Sequence, residues 1–412
     1  MYKRQDLNPK IVLVEKNSEN PVVDVAKKLK IELCEINPEK DGPSGIFNIY
    51  KKESEYSLPD ESDEALVLHT SGTTSRPKIV PLTNKNIFSS AENISKSLNL
   101  SENDHCLNIM PLFHIHGLIA ILASSMKAGA SVCASNGFNA IKFLDMAKSE
   151  KITWYSGVPT MHQAILLRAS RNLEIAKVLK LRLIRSSSAS LPPAVFNDLN
   201  EVFSCPVIEA YGMTEATHQM TSNPLPPKQQ KAGFVGLPAG PEVCIMNENG
   251  EVLKQGDEGD VCIKGENVTV GYDNNEEANK TSFTNGWFRT GDQGYFDNEG
   301  YLKISGRLKE IINKGGEKIS PLEVDNVLMD HPLIDQAVCF GYEDKMLGEN
   351  IASAIIIKSG ETCSENDVLE YAQEKLAKFK IPKKIFFFEE IPKGATGKLQ
   401  RNVLAKKFGL NN

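Results

Sequence analysis

A run of small hydroxyl residues around one glycine is the stretch of this sequence best suited to hold an anion. It reads Thr70-Ser71-Gly72-Thr73-Thr74-Ser75-Arg76-Pro77-Lys78. Glycine lets backbone N–H groups approach a phosphate, hydroxyls donate further hydrogen bonds, and Lys78 adds a mobile positive charge. The chain contains neither a Walker A motif nor Gly-x-Gly-x-x-Gly. On these residues alone, a Ser/Thr-rich surface loop and a phosphate-binding loop are about equally good interpretations.

Three further motifs carry residue types that bind nucleotides or stabilise charge. Tyr211-Gly212-Met213-Thr214-Glu215 follows an apolar run, Thr290-Gly291-Asp292 precedes Arg307, and Lys398 lies in the glycine-rich segment 392–401 near the C-terminus. Ligands of α/β proteins bind beyond the carboxyl ends of strands, which favours a functional role for the first motif. A turn aspartate and a surface lysine, in contrast, are usually only a turn residue and a solvated charge.

Taken together and in this order, the motifs resemble those of the adenylate-forming superfamily, the acyl-CoA synthetases and their relatives. The resemblance covers nearly the whole chain and implies ATP, Mg²⁺ and coenzyme A as cofactors and a small-molecule carboxylic acid as substrate. It implies nucleotide binding by Thr70, Ser71, Gly72, Thr73, Thr74, Lys78, Glu209, Ala210, Tyr211, Asp292 and Arg307. It further implies catalytic roles for Lys398, Thr214 and the Mg²⁺ ligand Glu215, a domain hinge at Lys309, and a pantetheine tunnel at Gly315 and Gly316.

The acid pocket is predicted from polar residues at three strand ends, namely His114, His116, Ser187, Ser188 and His218. A single histidine at such a place is more often a structural hydrogen-bonding residue. Here the polar groups favour a small, doubly charged acid, because an apolar chain would leave them without partners. The pattern is most similar to the oxalate–CoA ligase branch of the superfamily. A short fatty or aryl acid, a non-catalytic AMP-binding homologue and a luciferase-like oxygenase remain alternatives.

Composition excludes several other classes of protein. The chain has 412 residues, a net charge of -6 and no dominant basic cluster, which argues against nucleic-acid binding. Its eight cysteines lie singly, which is typical of a reducing compartment and argues against zinc sites or a disulfide framework. Neither a signal peptide nor a membrane segment is predicted, so we expect a cytoplasmic protein, monomeric or homodimeric.

The elements that position these motifs alternate between strands and helices up to residue 211, which predicts an α/β fold with a mainly parallel sheet covered by helices. We expect Ala65 to Leu68 to be a buried strand, the Thr70 loop to join it to a helix, and residues 39–64 to be an exposed connection. Residues 233–305 predict antiparallel hairpins that form a small β-barrel-like region, and Ser320-Pro321-Leu322-Glu323 predicts a capping box opening a small α+β lid domain.

We therefore predict an adenylation domain over 1–307 and a mobile lid over 308–412. Because the first motif begins at Thr70, the adenylation domain is expected to be short at its N-terminus.

Overall fold

The computed structural model describes residues 7–39, 46–49, 57–70, 78–392, 401 and 404–410. Two compact units are present, residues 1–60 and residues 61–412. In the first unit, β1 (Ile11–Glu15) and β2 (Glu32–Pro38) are parallel strands joined by helix α1 (Val22–Lys28), as the sequence predicts. A third strand, β3 (Phe47–Ile49), pairs antiparallel with β2. This strand lies within the connection 39–64, which was expected to be exposed, and Ile46 and Phe47 are exposed as predicted.

The second unit begins with an antiparallel hairpin rather than with the predicted strand–loop–helix arrangement. Strand β4 (Glu64–His69) pairs with β5 (Ile79–Thr83), and helix α2 (Asn84–Ser97) follows directly. Thr83 caps this helix through a reciprocal capping box with Asn86. Strand β4 is less buried than the sequence predicts. It belongs to a two-stranded sheet with β5, and its residues are exposed or half-buried. The Thr70 loop therefore joins two antiparallel strands.

A seven-stranded sheet forms the centre of the second unit, in the order β12-β11-β10-β9-β8-β6-β7. Its strands are β6 (His105–Asn108), β7 (Ser131–Ala134), β8 (Trp154–Gly157), β9 (Leu183–Ser186), β10 (Val207–Met213), β11 (His218–Ser222) and β12 (Leu237–Pro238). The five strands from β10 to β7 are parallel, whereas β11 and β12 are antiparallel additions. The predicted parallel sheet is thus confirmed, and its carboxyl edge collects the motif residues.

Helices connect these strands and cover the sheet. They are α3 (Ser124–Lys127), α4 (Ala140–Ser149), α5 (Pro159–Ser170), α6 (Leu173–Val178) and α7 (Pro193–Phe203). Residues His116–Ala123, which precede α3, adopt π-helical geometry. Such widened turns are common at functional sites. The largest fully buried side chains include Trp154 and Tyr155 of β8, so the core lies along the central strands.

The glycine-rich region forms a five-stranded antiparallel sheet, which confirms the predicted hairpins. Its strands are β13 (Glu242–Met246), β14 (Gly259–Lys264), β15 (Phe283–Thr284), β16 (Trp287–Phe296) and β17 (Leu302–Arg307), with helix α8 (Glu276–Ser282) before β15. Asn285-Gly286 and Glu299-Gly300, two dipeptides typical of hairpin turns, lie at the ends of β16. Strand β16 therefore carries Asp292 at its centre, opposite Arg307 of β17.

The C-terminal region has its own sheet and apolar core. Its elements are β18 (Ile312–Lys314), β19 (Glu317–Ile319), α9 (Pro321–Met329), β20 (Ile334–Asp344), β21 (Gly348–Ile357), α10 (Glu365–Lys375), β22 (Lys384–Phe387) and α11 (Leu404–Lys407). Only half of the predicted capping box forms: Ser320 accepts the Glu323 N–H, but the Glu323 carboxylate pairs with Lys380 at 2.6 Å. Helix α10 ends at Lys375.

No helix within the described ranges has the length and apolar character needed to span a membrane.

Candidate active site

The two ends of the Thr70 loop are fastened to each other. The Thr70 N–H donates to the Lys78 carbonyl at 2.9 Å, and the Lys78 N–H donates to Thr70 Oγ1 at 3.3 Å. Ser71, Gly72, Thr73 and Thr74 lie outside the described residues. The hairpin of β4 and β5 thus fixes where the loop begins and ends, and it delivers Lys78 to the site.

Lys78, Glu215 and Lys309 come together although they lie far apart in the sequence. The Lys78 Nζ lies 4.1 Å from the ring centroid of Tyr272, whose hydroxyl donates to Glu215 Oε1 at 2.8 Å. Burial lowers the pKa of Lys78, the Glu215 carboxylate opposes that shift, and the positive charge of Lys309 adds to it. Two lysines beside one carboxylate give this corner a net positive charge, which suits a polyphosphate.

Glu215 is the residue with the donor chemistry for Mg²⁺. It is buried in the 3₁₀ turn Thr214–Ala216, and its backbone carbonyl accepts the Thr269 N–H at 2.7 Å. The part of the chain that is described contains no cluster of three or more His, Cys, Asp or Glu residues able to hold a metal. A single carboxylate still fits Mg²⁺, because this ion commonly takes one or two protein carboxylates and completes its shell with phosphates and water.

Asp292, Arg307 and Tyr211 form a second cluster. Arg307 Nε lies 3.0 Å from Asp292 Oδ1, and the Tyr211 hydroxyl donates to the other carboxylate oxygen. The Asp292 charge is the main cause that raises the pKa of Arg307, while burial followed by Asp292 raises that of Tyr211. The structure therefore brings together the three residues predicted to flank the ribose and adenine, on β16, β17 and β10.

Glu209 and Ala210 of β10 were assigned to nucleotide binding from the sequence. In the structure both make hydrogen bonds that fix β10 to neighbouring segments. Glu209 Oε1 accepts the Leu191 N–H at 2.9 Å, and burial raises the pKa of the carboxyl group to about 8. The Ala210 carbonyl accepts the Ser187 hydroxyl at 2.8 Å. Ser187, predicted to contact the acid, therefore directs its hydroxyl to the neighbouring strand.

His116 is the centre of the predicted acid pocket. Its ring is fully buried, with Nε2 2.6 Å from Ser156 Oγ and Nδ1 3.0 Å from Ser188 Oγ. The backbone N–H of His116 donates to His114 Nδ1 at 3.1 Å, which ties the two histidines to each other. Ser188 has a left-handed backbone, φ 74°, that places its hydroxyl at this ring. The predicted residues His114, His116 and Ser188 are thus joined by hydrogen bonds.

His218 completes the pair of histidines through an unusual backbone. The His116 and His218 ring centroids are 5.2 Å apart. His218 has φ 108°, a strained value for a residue with a side chain, and it follows Thr217 at φ 49°. Gly212 permits this path, since a Cβ there would lie 1.9 Å from the His218 carbonyl oxygen. The pairing of β10 with β11 therefore determines where His218 lies.

Arg185 is the pocket residue that the sequence analysis missed. Its side chain is 0% exposed, and its described hydrogen bonds go to Ser156 Oγ at 3.5 Å, His218 Nδ1 at 3.5 Å and Gln219 Oε1 at 3.2 Å. No carboxylate of the described residues pairs with it, its Nε has no partner there, and burial lowers its pKa to about 9. The sequence feature that could have identified Arg185 is its position as a charged residue inside the apolar strand Leu183–Ser186.

The residues assigned to coenzyme A and to lid movement lie in the C-terminal region. Gly315 and Gly316 form the turn between β18 and β19 with φ 60° and 94°, and the Gly315 N–H donates to the Leu347 carbonyl at 2.8 Å. Lys309 is exposed in the turn between β17 and β18. Lys398 lies outside the described residues.

Arg401, three residues after Lys398, is firmly held in the C-terminal region. Its guanidinium pairs with Asp325 at 2.5 Å and with Glu310 at 3.2 Å, next to Lys309. One end of the segment that carries Lys398 is therefore anchored to helix α9 and to the turn after β17.

This arrangement of sheet, nucleotide-type clusters and C-terminal region is that of an adenylating enzyme. The model of the AMP-binding enzyme family matches residues 4–273, and that of the AMP-binding enzyme C-terminal domain matches residues 323–398. The chain belongs to the AMP-binding enzyme family.

Within that family the chain is similar to CoA ligases. It is 47% identical over 411 residues to an oxalate–CoA ligase of Arabidopsis thaliana, covering 98% of this chain and 80% of that protein. It is 48% identical over 349 residues to an oxalate–CoA ligase of Saccharomyces cerevisiae, covering 84% of this chain and 64% of that protein.

Solved structures give the same result for the fold. The ATP-bound MatB of Rhodopseudomonas palustris superposes with a TM-score of 0.88 at 29% identity, covering 99% of this chain and 80% of MatB. The o-succinylbenzoate CoA synthetase of Bacillus subtilis, solved with its acyl-adenylate intermediate, has a TM-score of 0.81 at 31% identity, covering 98% of this chain and 79% of that enzyme. The predicted fold class and superfamily are confirmed.

Proposed function

We propose that the protein is an ATP-dependent acid–CoA ligase that activates oxalate through an acyl-adenylate and transfers the oxalyl group to coenzyme A. The observation that carries the choice of acid is Arg185, a buried cation with no carboxylate partner among the described residues. Burying an unpaired charge is costly, and a bound dianion offsets this cost. The oxalate–CoA ligase relatives support the same acid.

The histidines next to Arg185 and the serine hydroxyls bound to them supply polar groups around that acid. Arginine can only donate, so His218 Nδ1 accepts from Arg185 and the ring's proton lies on Nε2. His116 lies between two hydroxyls that can both donate and accept. The carboxylate that does not react is held near these donors and the Arg185 charge, and the reacting carboxylate faces the nucleotide.

The nucleotide lies between the two charged clusters. Asp292 accepts hydrogen bonds from the ribose hydroxyls, supported by Arg307, and Tyr211 flanks the adenine. Thr70 to Thr74, Lys78 and Thr214 hold the phosphates. When bound at Glu215, Mg²⁺ supplies Lewis-acid charge neutralisation at the phosphate oxygens.

The reaction proceeds in two halves. A substrate carboxylate oxygen attacks the α-phosphorus of ATP, the bond to the β-phosphate oxygen breaks, and pyrophosphate leaves. Lys398 stabilises the negative charge that accumulates as the two anions meet. The coenzyme A thiolate sulfur then attacks the carbonyl carbon of the adenylate, and AMP leaves with the shared oxygen.

Movement of a lid separates the two halves. We assign residues 1–307 to the adenylation domain and 308–412 to the lid, with Lys309 as the hinge, because the turn containing Lys309 separates β17 from an element set with its own core. After rotation, the turn at Gly315 and Gly316, which has no side chains, lines the path of the pantetheine arm.

Measuring pyrophosphate release tests this proposal. The full chain is supplied with Mg·ATP, coenzyme A and one acid at a time, namely oxalate, malonate, sulfoacetate, acetate or a medium-chain fatty acid. Release with oxalate well above the other acids is the expected result. Preference for a fatty acid would keep the ligase and refute the pocket assignment. Tight AMP binding without release from any acid would instead identify a non-catalytic homologue.

We also propose a reducing compartment, the cytoplasm, as the location of the protein. All eight cysteines are free thiols, and several are fully buried as small core residues.

A further inference from the structure

Gln219 is the residue that holds Arg185 in the pocket. It lies on β11 directly opposite Gly212 of β10, and its side chain is 0% exposed. Its Oε1 accepts from Arg185 Nη2 at 3.2 Å, the shortest hydrogen bond that is described for this guanidinium. Its Nε2 donates to Ser97 Oγ at 2.9 Å and to the Ala239 carbonyl at 3.0 Å. Gln219 thus connects Arg185 to the end of helix α2 and to the loop before β13.

The orientation of this amide follows from the chemistry of its neighbours. A carbonyl such as that of Ala239 can only accept, and a guanidinium can only donate. The amide NH₂ must therefore face Ala239, and the amide oxygen must face Arg185. Ser97 fits the same arrangement, because its hydroxyl donates to the Ile94 carbonyl at 3.1 Å and so accepts from Gln219.

We infer that Gln219 determines the preference for doubly over singly charged acids, because it holds the Arg185 guanidinium through a neutral oxygen and leaves its positive charge available to the substrate. This inference rests on the proposed function. Gln219 is a positioning residue that acts through Arg185. A carboxylate at position 219 would hold the guanidinium equally well but would neutralise its charge. The non-reacting carboxylate of the substrate would then face an ion pair with no net charge.

Two substitutions of Gln219 have similar volumes but different effects on the charge next to Arg185. Gln219→Glu keeps an oxygen at Arg185 and adds a negative charge. Gln219→Met removes the oxygen and leaves the Arg185 charge unchanged. If neutrality is what matters, the glutamate variant loses the dianion preference, whereas the methionine variant keeps most of it despite weaker binding.

The experiment measures kcat and KM for pyrophosphate release with oxalate, malonate, sulfoacetate, acetate and propionate. It compares wild type, Gln219→Glu, Gln219→Met and the control Gln255→Glu, which adds the same charge at an exposed position whose amide donates to the Asp297 carbonyl. In Gln219→Glu the KM of the preferred dianion should rise roughly tenfold or more, which corresponds to about 1.4 kcal/mol. Its kcat should change less than its KM, and the dianion-to-monoanion ratio of kcat/KM should fall by a similar factor. Unfolding curves of each variant establish that the protein measured is folded.

The outcomes separate this inference from the proposed function. Equal loss of the dianion ratio in Gln219→Glu and Gln219→Met, or no change in Gln219→Glu, would overturn the inference while oxalate use by wild type stands. Preference of wild type for malonate or sulfoacetate would refute oxalate as the substrate, and the same ratio then tests Gln219 with that acid. Preference of wild type for a monoanion would overturn both.

Discussion

Replacing Arg185 with methionine separates a role in binding from a role in folding, because the two roles predict different results. Methionine is similar in length and apolar, so it removes the charge without leaving a large cavity. If Arg185 serves the substrate, the variant should stay folded and lose the use of oxalate. If Arg185 serves the fold, the variant should unfold easily and any folded fraction should keep its acid preference.

The expected change in stability is small because two large effects oppose each other. Arg185 is 0% exposed and unpaired with any described carboxylate, so its removal eliminates the cost of burying a charge, which amounts to several kcal/mol. Its removal also takes a donor from Gln219, His218 and Ser156, at about 1–3 kcal/mol for each buried group left unsatisfied. We expect the free energy of unfolding to change by less than about 2 kcal/mol.

The expected change in binding is large. Removing one partner of a buried charge pair costs about 2–5 kcal/mol. At about 1.4 kcal/mol for each tenfold change, the KM of oxalate should rise on the order of 30-fold to 3,000-fold. The KM of acetate should change far less, since its single carboxylate is the one that reacts.

Initial rates of pyrophosphate release over a range of oxalate and acetate concentrations measure both constants, and denaturant unfolding measures stability. Arg182→Met is the matched control, because Arg182 lies three residues earlier and pairs with Asp104 at 2.9 Å. That variant should be destabilised without a change in acid preference. A loss of several kcal/mol in Arg185→Met, together with an unaltered KM for oxalate, would refute the reasoning.

Three other predictions concern the nucleotide and the proton balance. Asp292→Asn removes the charge that pairs with Arg307 and Tyr211, so the KM of ATP should rise roughly tenfold to a hundredfold; an unchanged value in steady-state kinetics would exclude Asp292 from the ribose site. The raised pKa of Glu209, about 8 against 4.5, means that the folded protein keeps a proton that the unfolded chain releases, so this group stabilises the fold less as pH rises through that window. The melting temperature of Glu209→Gln should therefore fall less than that of wild type between these two pH values. Equal decreases in the two proteins would contradict the raised pKa of Glu209. Lys398→Ala should abolish adenylate formation but spare thioester formation from supplied adenylate, and equal loss in both assays would argue against the assigned role.

Local patterns predicted the fold well where the tertiary contacts agree with them. The alternation of strands and helices up to Tyr211 gave the parallel sheet, and the Asn-Gly and Glu-Gly turns gave the hairpins around β16. The errors occurred where a distant contact competes with a local preference. The box at Ser320 is incomplete because Lys380, 57 residues away, takes the Glu323 carboxylate. The strand before Thr70 is less buried than its apolar sequence indicates because its partner is the strand after the loop.

Local sequence patterns have the same limit in predicting individual residues of the candidate site. Motifs identified Asp292, Arg307 and Glu215, and the structure places each of them in a charged cluster. Tyr272, which lies under Lys78 and donates to Glu215, belongs to no motif and could be found only from the fold. Ser187 was assigned to the acid because it lies at a strand end, yet its hydroxyl bonds the Ala210 carbonyl. A strand end shows which residues are near a ligand, but the direction of each side chain depends on the neighbouring strand.

Arg182 and Arg185 show why a charge inside an apolar strand cannot be interpreted from its sequence alone. The two arginines lie three residues apart in Leu181-Arg182-Leu183-Ile184-Arg185, and the sequence alone does not show which of them has a partner in the fold. Arg182 forms an ion pair with Asp104, which is far away in the sequence, and so contributes to the fold. Arg185 makes hydrogen bonds only to neutral groups among the described residues, so these residues do not compensate its charge. Since a fold rarely tolerates such a charge without a partner, the difference between the two arginines indicates that an anion is the missing partner of Arg185.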